Sequence, residues 1–354
     1  MTRSPDVLIV GAGIVGAACA FELARAGARV EVMDQGIVGG GATAAGMGHL
    51  VVLDGNGPEL ALSKLSVDLW HKLAKDLPKH AEFWACGTLW IAAGEPEFNA
   101  AKAKADVYRQ HGIAAEMLDE RQLYEAEPHL APGLAGGLLA NRDAVVYAPV
   151  AARWLLEQAN AKVTRTTVTN LDDLKAGAVV CATGALTPKL VPALPIKPRK
   201  GHLAITDRYP GFVRHQLVEV GYLQSAHGES SESVAFNVKP RPTCQLLIGS
   251  SRQYDVETAD IDRHILERML NRAFGFLPRL RDCGVIRTWT GFRASTPDKL
   301  PIIGRLRGHV YLATGHEGLG VTTSLGTAKV LAAEILCRQS PIPPEPYRPE
   351  RFHV

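Results

Sequence analysis

Apolar positions divide the chain into short strand-like runs, glycine turns and helical stripes. Val7-Leu8-Ile9-Val10 is an apolar run that breaks at Gly11-Ala12-Gly13-Ile14-Val15-Gly16 and passes into a helical pattern with Ala20, Phe21, Leu23 and Ala24 on one side. Gly27 ends that pattern, and residues 28–33 read as a second strand closed by Asp34. In such a unit the first glycine permits a tight turn, the second lets the backbone approach a pyrophosphate, and the third lets helix and strand pack closely. The N–H groups of the first helical turn face the phosphates, and the acid ending the second strand meets a ribose hydroxyl. A dinucleotide site is expected, with Gly11, Gly13, Ile14, Val15, Gly16, Asp34 and Gln35 as contacts.

Residues 39–48 are nearly all small and run directly into the apolar stretch 49–53. A backbone stripped of side chains suits close approach of a flat cofactor, which makes Ala42, Thr43, Gly46, Met47 and Gly48 candidate contacts. Leu62, Leu65, Leu69, Leu73 and Leu77 recur at helical spacing until Pro78. Strands are predicted at 86–92 and 144–147, and helices at 95–111, after the cap Asp119, and after Pro149. Residues 163–171 alternate as a strand. The run 178–182 ends in the turn Thr183-Gly184, the pattern of a parallel strand returning to the same sheet.

After the proline-rich 188–198 come strands at 203–206, 218–224, 234–239 and 245–250. A helix capped by Asp260 follows, carrying Ile261, Ile265, Met269 and Phe276. A last buried strand, 310–314, leads through Gly315 to a helix over 323–337, and the tail 341–349 is too proline-rich for regular structure. The expected fold is α/β, with a discontinuous Rossmann-like nucleotide-binding domain over 1–84, 143–195 and 290–354. A second α+β domain on an antiparallel sheet, over 85–142 and 196–289, is the expected substrate domain.

Composition narrows this. At 354 residues two domains are the natural division, and 46% apolar with 21% charged residues is ordinary for a globular protein. A net charge of +3 is too small to point to nucleic acid or a membrane surface. The six cysteines are scattered without a C-x-x-C pair, which argues against zinc, an iron–sulfur cluster or a disulfide framework. The uncharged stretch 7–21 is shorter than the ~20 residues of a spanning helix and is better explained as a nucleotide fingerprint. A cytoplasmic location without a transmembrane segment is expected.

Four separated segments share one resemblance: the glycine triplet with Asp34, the 42–47 loop, Gly291-Phe292-Arg293-Ala294-Ser295-Thr296-Pro297-Asp298-Lys299-Leu300-Pro301-Ile302-Ile303-Gly304, and 313–320 with its helix. Together they resemble the D-amino-acid-oxidase-like family of FAD-dependent oxidoreductases, which includes glycine oxidase, sarcosine oxidase and D-amino-acid dehydrogenases. Within it the chain is similar to catalytic β-subunits that act on D-hydroxyproline, opines or glycine.

The resemblance implies noncovalent FAD, with adenosine near the glycine triplet and Asp34 and with its adenine meeting the backbone of Val168. The isoalloxazine would lie between the 42–48 loop and the turn of Gly315, His316, Gly318, Leu319, Gly320, Val321 and Thr322; Thr183 and Gly184 are further contacts. Arg293 matches the arginine that holds a substrate carboxylate, a task its planar fork suits; a salt bridge to Asp298 is the plain alternative. Tyr222 is the candidate aromatic lid or hydroxyl partner of the carboxylate. The implied reaction passes hydride from the amine-bearing carbon of an amino or imino acid to the flavin and gives an imine, with no metal. An electron-transfer partner subunit or a homo-oligomer would complete it.

Departures from the family stand out. Gly318 replaces a basic residue of glycine oxidase, His202 replaces a familiar glutamine, and a short 172–175 link replaces a strand meander. His49 and His316 flank the expected flavin loop and turn, with His316 the better candidate for contact. Two other readings stay open: an NAD-dependent Rossmann dehydrogenase, and an FAD-holding subunit without turnover.

Overall fold

Val7–Val10 forms a strand with all four residues buried, as an unbroken apolar run requires when it lies inside a sheet. A computed structural model describes residues 4–53, 57–221 and 231–354. The chain forms two compact units: Met1–Ala81, Val146–Arg199 and Phe292–Val354; and Glu82–Val145 with Lys200–Gly291.

The first unit holds a six-stranded sheet in the order Ile302–Arg307, Val310–Thr314, Ala178–Cys181, Val7–Val10, Val30–Asp34, Lys162–Arg165. Neighbours are parallel except for the Ile302–Arg307 edge, which is antiparallel to Val310–Thr314. Helix Ile14–Arg25 joins the first two strands and packs against helix Gly320–Ile335, which packs in turn on Gly57–Leu73. Gly320–Ile335 buries eleven of its residues, most of them small, which lets the neighbouring helices approach it closely.

Packing overrides several local expectations. Gly57–Leu73 buries Leu62, Ser66, Val67, Trp70 and Leu73, while Leu65 and Leu69 stay half-exposed. The buried stripe follows the serines because Ser66 Oγ accepts the Gly326 N–H at 2.9 Å, and only small side chains allow that approach. The expected strand over 163–171 is Lys162–Arg165 alone. Val168 leaves the ladder and packs against the cluster of Val10, Val179 and Cys181. The tail is not irregular throughout, forming single 3-10 turns at Glu345–Tyr347 and Pro349–Phe352.

The second unit holds most of an eight-stranded sheet in the order Val285–Ser295, Lys197–Arg208, Gln245–Gln253, Glu232–Pro240, Gln216–Glu219, Thr88–Ala92, Gly136–Ala140, Glu116–Leu118, with residues 197–199 and 292–295 belonging to the first unit. It is mainly antiparallel, while Gln216–Glu219 and Thr88–Ala92 pair in parallel. Helix Arg263–Phe276 buries Ile265, Met269, Ala273 and Phe276, and Phe276 stacks on Phe236 of the sheet with centroids 4.4 Å apart. Its cap is Asp262, not Asp260, because the Asp262 carboxylate accepts the Ile265 N–H at 3.2 Å. Among the described residues no helix is long and apolar enough to cross a membrane.

Candidate functional site

Strands Val7–Val10, Ala178–Cys181 and Val310–Thr314 are parallel neighbours, so the turns that follow them leave one edge of the first unit's sheet. That carboxyl edge is where parallel α/β sheets bind ligands. Gly11 has φ +113°, and a Cβ there would lie 2.5 Å from the Ala182 carbonyl oxygen; one on Gly16 would overlap the Gly11 carbonyl oxygen. Neither position admits a side chain. Gly13 is pressed less, since its Cβ would lie 3.2 Å from Thr43 Oγ1.

Thr43 Oγ1 also accepts the Ile14 N–H at 3.0 Å, which ties the 41–45 turn of helix to the glycine loop. The Asp34 carboxylate accepts the N–H of Ala12 at 2.6 Å and of Gly36 at 2.7 Å. The acid thus braces the loop as well as ending its strand. Val15 and Gly16 lie in the first helical turn, ahead of the Ala17 N–H to Gly13 O bond of 2.9 Å. Helix Gly320–Ile335 starts beside them, with a Gly320 Cβ position 3.9 Å from Val15 Cγ2. Two helix N-termini therefore adjoin, and both favour negative charge.

The other turns are braced by hydroxyls. Thr183 bonds Thr187 at 3.1 Å, Thr187 bonds Thr314 at 2.8 Å, and Thr314 donates to Gly184 O at 3.3 Å. This ladder holds the turns before Gly184 and Gly315 in register. Gly41 and Gly184 have φ of +56° and +57° and face open space. Gly315 is needed where it stands, since a Cβ would meet Thr296 Cγ2 at 2.7 Å. Thr322 donates to His49 O at 2.8 Å, and Trp70 Nε1 donates to Val321 O at 3.1 Å. Met47 is buried between Gly46 and Gly48, while Gln35 is exposed and accepts from Arg165 through its carbonyl.

Arg293 lies on strand Val285–Ser295, with Nε 3.6 Å from a Gly318 Cβ position. Asp298 is held by Arg351, at 2.6 Å, rather than by Arg293. His316 is buried, and its Nε2 bonds Thr327 Oγ1 at 3.0 Å; burial pushes its pKa down to about 3, so the ring is neutral. That bond directs Nε2 into the following helix. His202 is fully buried in the second unit, with Nδ1 on Ser251 Oγ at 3.0 Å and Nε2 accepting the Asp262 N–H at 3.0 Å. It secures a helix start. Tyr222 lies outside the described residues.

Glu317 is not among the residues the sequence pointed to. Its carboxylate binds Arg199 at 2.6 Å and Ser295 Oγ at 2.7 Å, and lies 3.8 Å from Lys299. Burial alone would raise its carboxyl, but Ser295, Lys299 and Arg199 together hold it below the ordinary range. A glutamate flanked by His316 and Gly318 carried no signal, because all three partners are distant in sequence or on another strand. Among the described residues no group of three His, Cys, Asp or Glu side chains could hold a metal ion.

A side-chain-free cradle at the sheet's carboxyl edge, beside two helix N-termini, defines a dinucleotide-binding α/β protein. The chain belongs to the FAD-dependent oxidoreductase family known as DAO, whose model matches residues 6–334, and its cofactor is FAD.

It is 27% identical over 363 residues to glycine oxidase of Geobacillus kaustophilus, covering 94% of this chain and 93% of that protein. The crystal structure of glycine oxidase from that organism matches with a TM-score of 0.87 at 25% identity, covering 98% of each chain. Identity is 25% to an opine oxidase subunit of Rhizobium meliloti over 365 residues, covering 93% of both. Identity is 28% over 371 residues to the bifunctional protein ThiO/ThiG of a Nostoc species, covering 96% of this chain; the chain spans about half of that relative's length, 54%.

Proposed function

We propose that the chain oxidises a small amino or imino acid, of the D-amino acid or D-hydroxyproline kind, at the carbon bearing the nitrogen. The observation that carries this reading is Arg293 set against Gly318, two residues before the helix that opens beside the glycine loop. A guanidinium there can hold a carboxylate through two parallel hydrogen bonds and so fix which carbon faces the cofactor. The glycine oxidase and opine oxidase relatives support a substrate with both a carboxylate and an amine.

In this reading the first unit holds FAD without a covalent bond. The glycine loop and the two helix N-termini take its anionic groups, and the segments 42–48 and 315–322 take its ring system. FAD, when bound, supplies hydride acceptance. The chain's own part is to bind the carboxylate at Arg293, orient the reacting carbon and exclude water. Neutral His316 adds no charge there. The relative named as an oxidase subunit supports a partner subunit that takes the electrons onward.

The test is anaerobic reduction of the purified flavoprotein by a panel of D- and L-amino acids that includes proline derivatives. Bleaching of the flavin by one of them is expected. Arg293→Ala should keep FAD while raising KM strongly, and unchanged kinetics in that variant would remove the assignment.

A further inference from the structure

Glu317 joins the two parts of the candidate site that have to stay in register, the strand carrying Arg293 and the turn carrying Gly318. Its N–H donates to Ala294 O at 2.9 Å in an isolated antiparallel bridge. Its carboxylate then reaches the same strand again, Oε2 accepting from Ser295 Oγ at 2.7 Å, while Oε1 accepts from Arg199 Nη1 of strand Lys197–Arg208 at 2.6 Å. Both bridged strand residues directly follow Arg293. The Arg199 side chain is 1% exposed and that of Glu317 16%, so the pair is shielded from solvent and its geometry is tightly set.

The backbone supports the same view. Glu317 has φ +49°, the left-handed region where glycine or asparagine is the usual choice. Turning the chain does not call for a carboxylate at this position. Its hydrogen-bond donors, drawn from separate segments, do.

We propose that Glu317 is a positioning residue for Arg293: it locks the 315–319 turn onto the strand and so keeps that turn and the guanidinium beside it in fixed register. This rests on Arg293 being the carboxylate anchor. Glu317 touches no substrate in this arrangement and acts through Arg293. Slippage of a guanidinium by about 1 Å can cost up to about a hundredfold in efficiency. Here the loss falls on binding, because the geometry at stake is that of carboxylate recognition.

The experiment compares Ser295→Ala, Glu317→Gln and Arg293→Ala as flavin-loaded proteins. Three quantities are read: kcat and KM with the amino acid that best reduces the flavin, the Kd of acetate from its perturbation of flavin absorbance, and the FAD content. Ser295→Ala and Glu317→Gln are expected to raise KM and the acetate Kd together by about tenfold, with kcat within about threefold and FAD retained. Wild-type KM and acetate Kd in both, or a fall confined to kcat, would overturn the positioning role while leaving the anchor intact if Arg293→Ala has lost acetate binding. Acetate binding that survives in Arg293→Ala overturns the anchor and this proposal with it. Should Glu317→Gln fail to fold, Ser295→Ala decides, since it deletes one hydroxyl and no charge.

Discussion

Gly318 faces Arg293 across a gap the size of one side-chain atom: a Cβ added at 318 would lie 3.6 Å from Nε and 3.7 Å from Cδ of the arginine. That is ordinary contact distance, so a methyl fits and a branched side chain does not. Gly318→Ala should leave KM within about twofold, whereas Gly318→Leu should displace the guanidinium and raise KM by about tenfold, as expected of a misplaced binding group. Steady-state kinetics of the two variants checks this.

The glycine loop should be sensitive in a graded way. Gly16→Ala forces a methyl into the Gly11 carbonyl, so helix and loop must part, at a cost of about 1–3 kcal/mol and with loss of FAD. Gly13→Ala meets only Thr43 Oγ1, at 3.2 Å, and should retain more flavin. The ratio of flavin to protein absorbance after purification ranks them, and equal retention by both would contradict the geometry.

His316 predicts a pH dependence of stability. Burial lowers its pKa to about 3 from the ordinary 6.5, so between those values the unfolded chain binds the extra proton. Stability therefore falls as pH drops from 6.5 toward 3, by at most about 1.4 kcal/mol per pH unit from this group. Glu317, lowered from 4.5, contributes stability that is present above that value and lost as pH falls below it, so above about pH 4.5 His316 alone of these two groups sets the slope. Urea unfolding between about pH 6.5 and about pH 5 should have a shallower pH slope in His316→Gln than in the wild type.

Arg351 fastens the tail. Its guanidinium donates to Asp298 at 2.6 Å, to Leu300 O at 2.9 Å and to Tyr347 O at 2.7 Å. The segment it holds begins at Asp298, shortly after Arg293 in the chain. Arg351→Ala should cost about 2 kcal/mol, allowing for partial exposure of the ion pair, as measured by denaturant unfolding. Tyr347→Phe, which loses one bond of 2.6 Å to Pro58 O, should cost about 1 kcal/mol.

Local chemistry makes much of the first unit legible along the chain. Val7–Val10 and the glycine triplet are short-range patterns, and φ +113° at Gly11 is a demand only glycine meets cheaply, whichever distant residue the loop packs on. The capping pair Asp119 and Gln122, each accepting the other's backbone N–H, is equally local. Expectation and structure part where a distant partner decides. Ser66 outranks Leu65 in burial because Gly326 lies over it, and Val168 leaves its strand for a core built by residues 179–181.

The nucleotide fingerprint, the α/β class and an arginine whose planar fork suits a carboxylate are all readable along the chain, because each is written in short-range spacing or in side-chain chemistry. The partners of the other polar side chains came from the folded arrangement. Folding paired Asp298 with Arg351, turned His316 toward Thr327, gave His202 to Asp262, and set Glu317 between Arg199 and Ser295. Charged and polar side chains take partners by proximity in space, and no periodicity along the chain records which partner folding brings within about 3 Å.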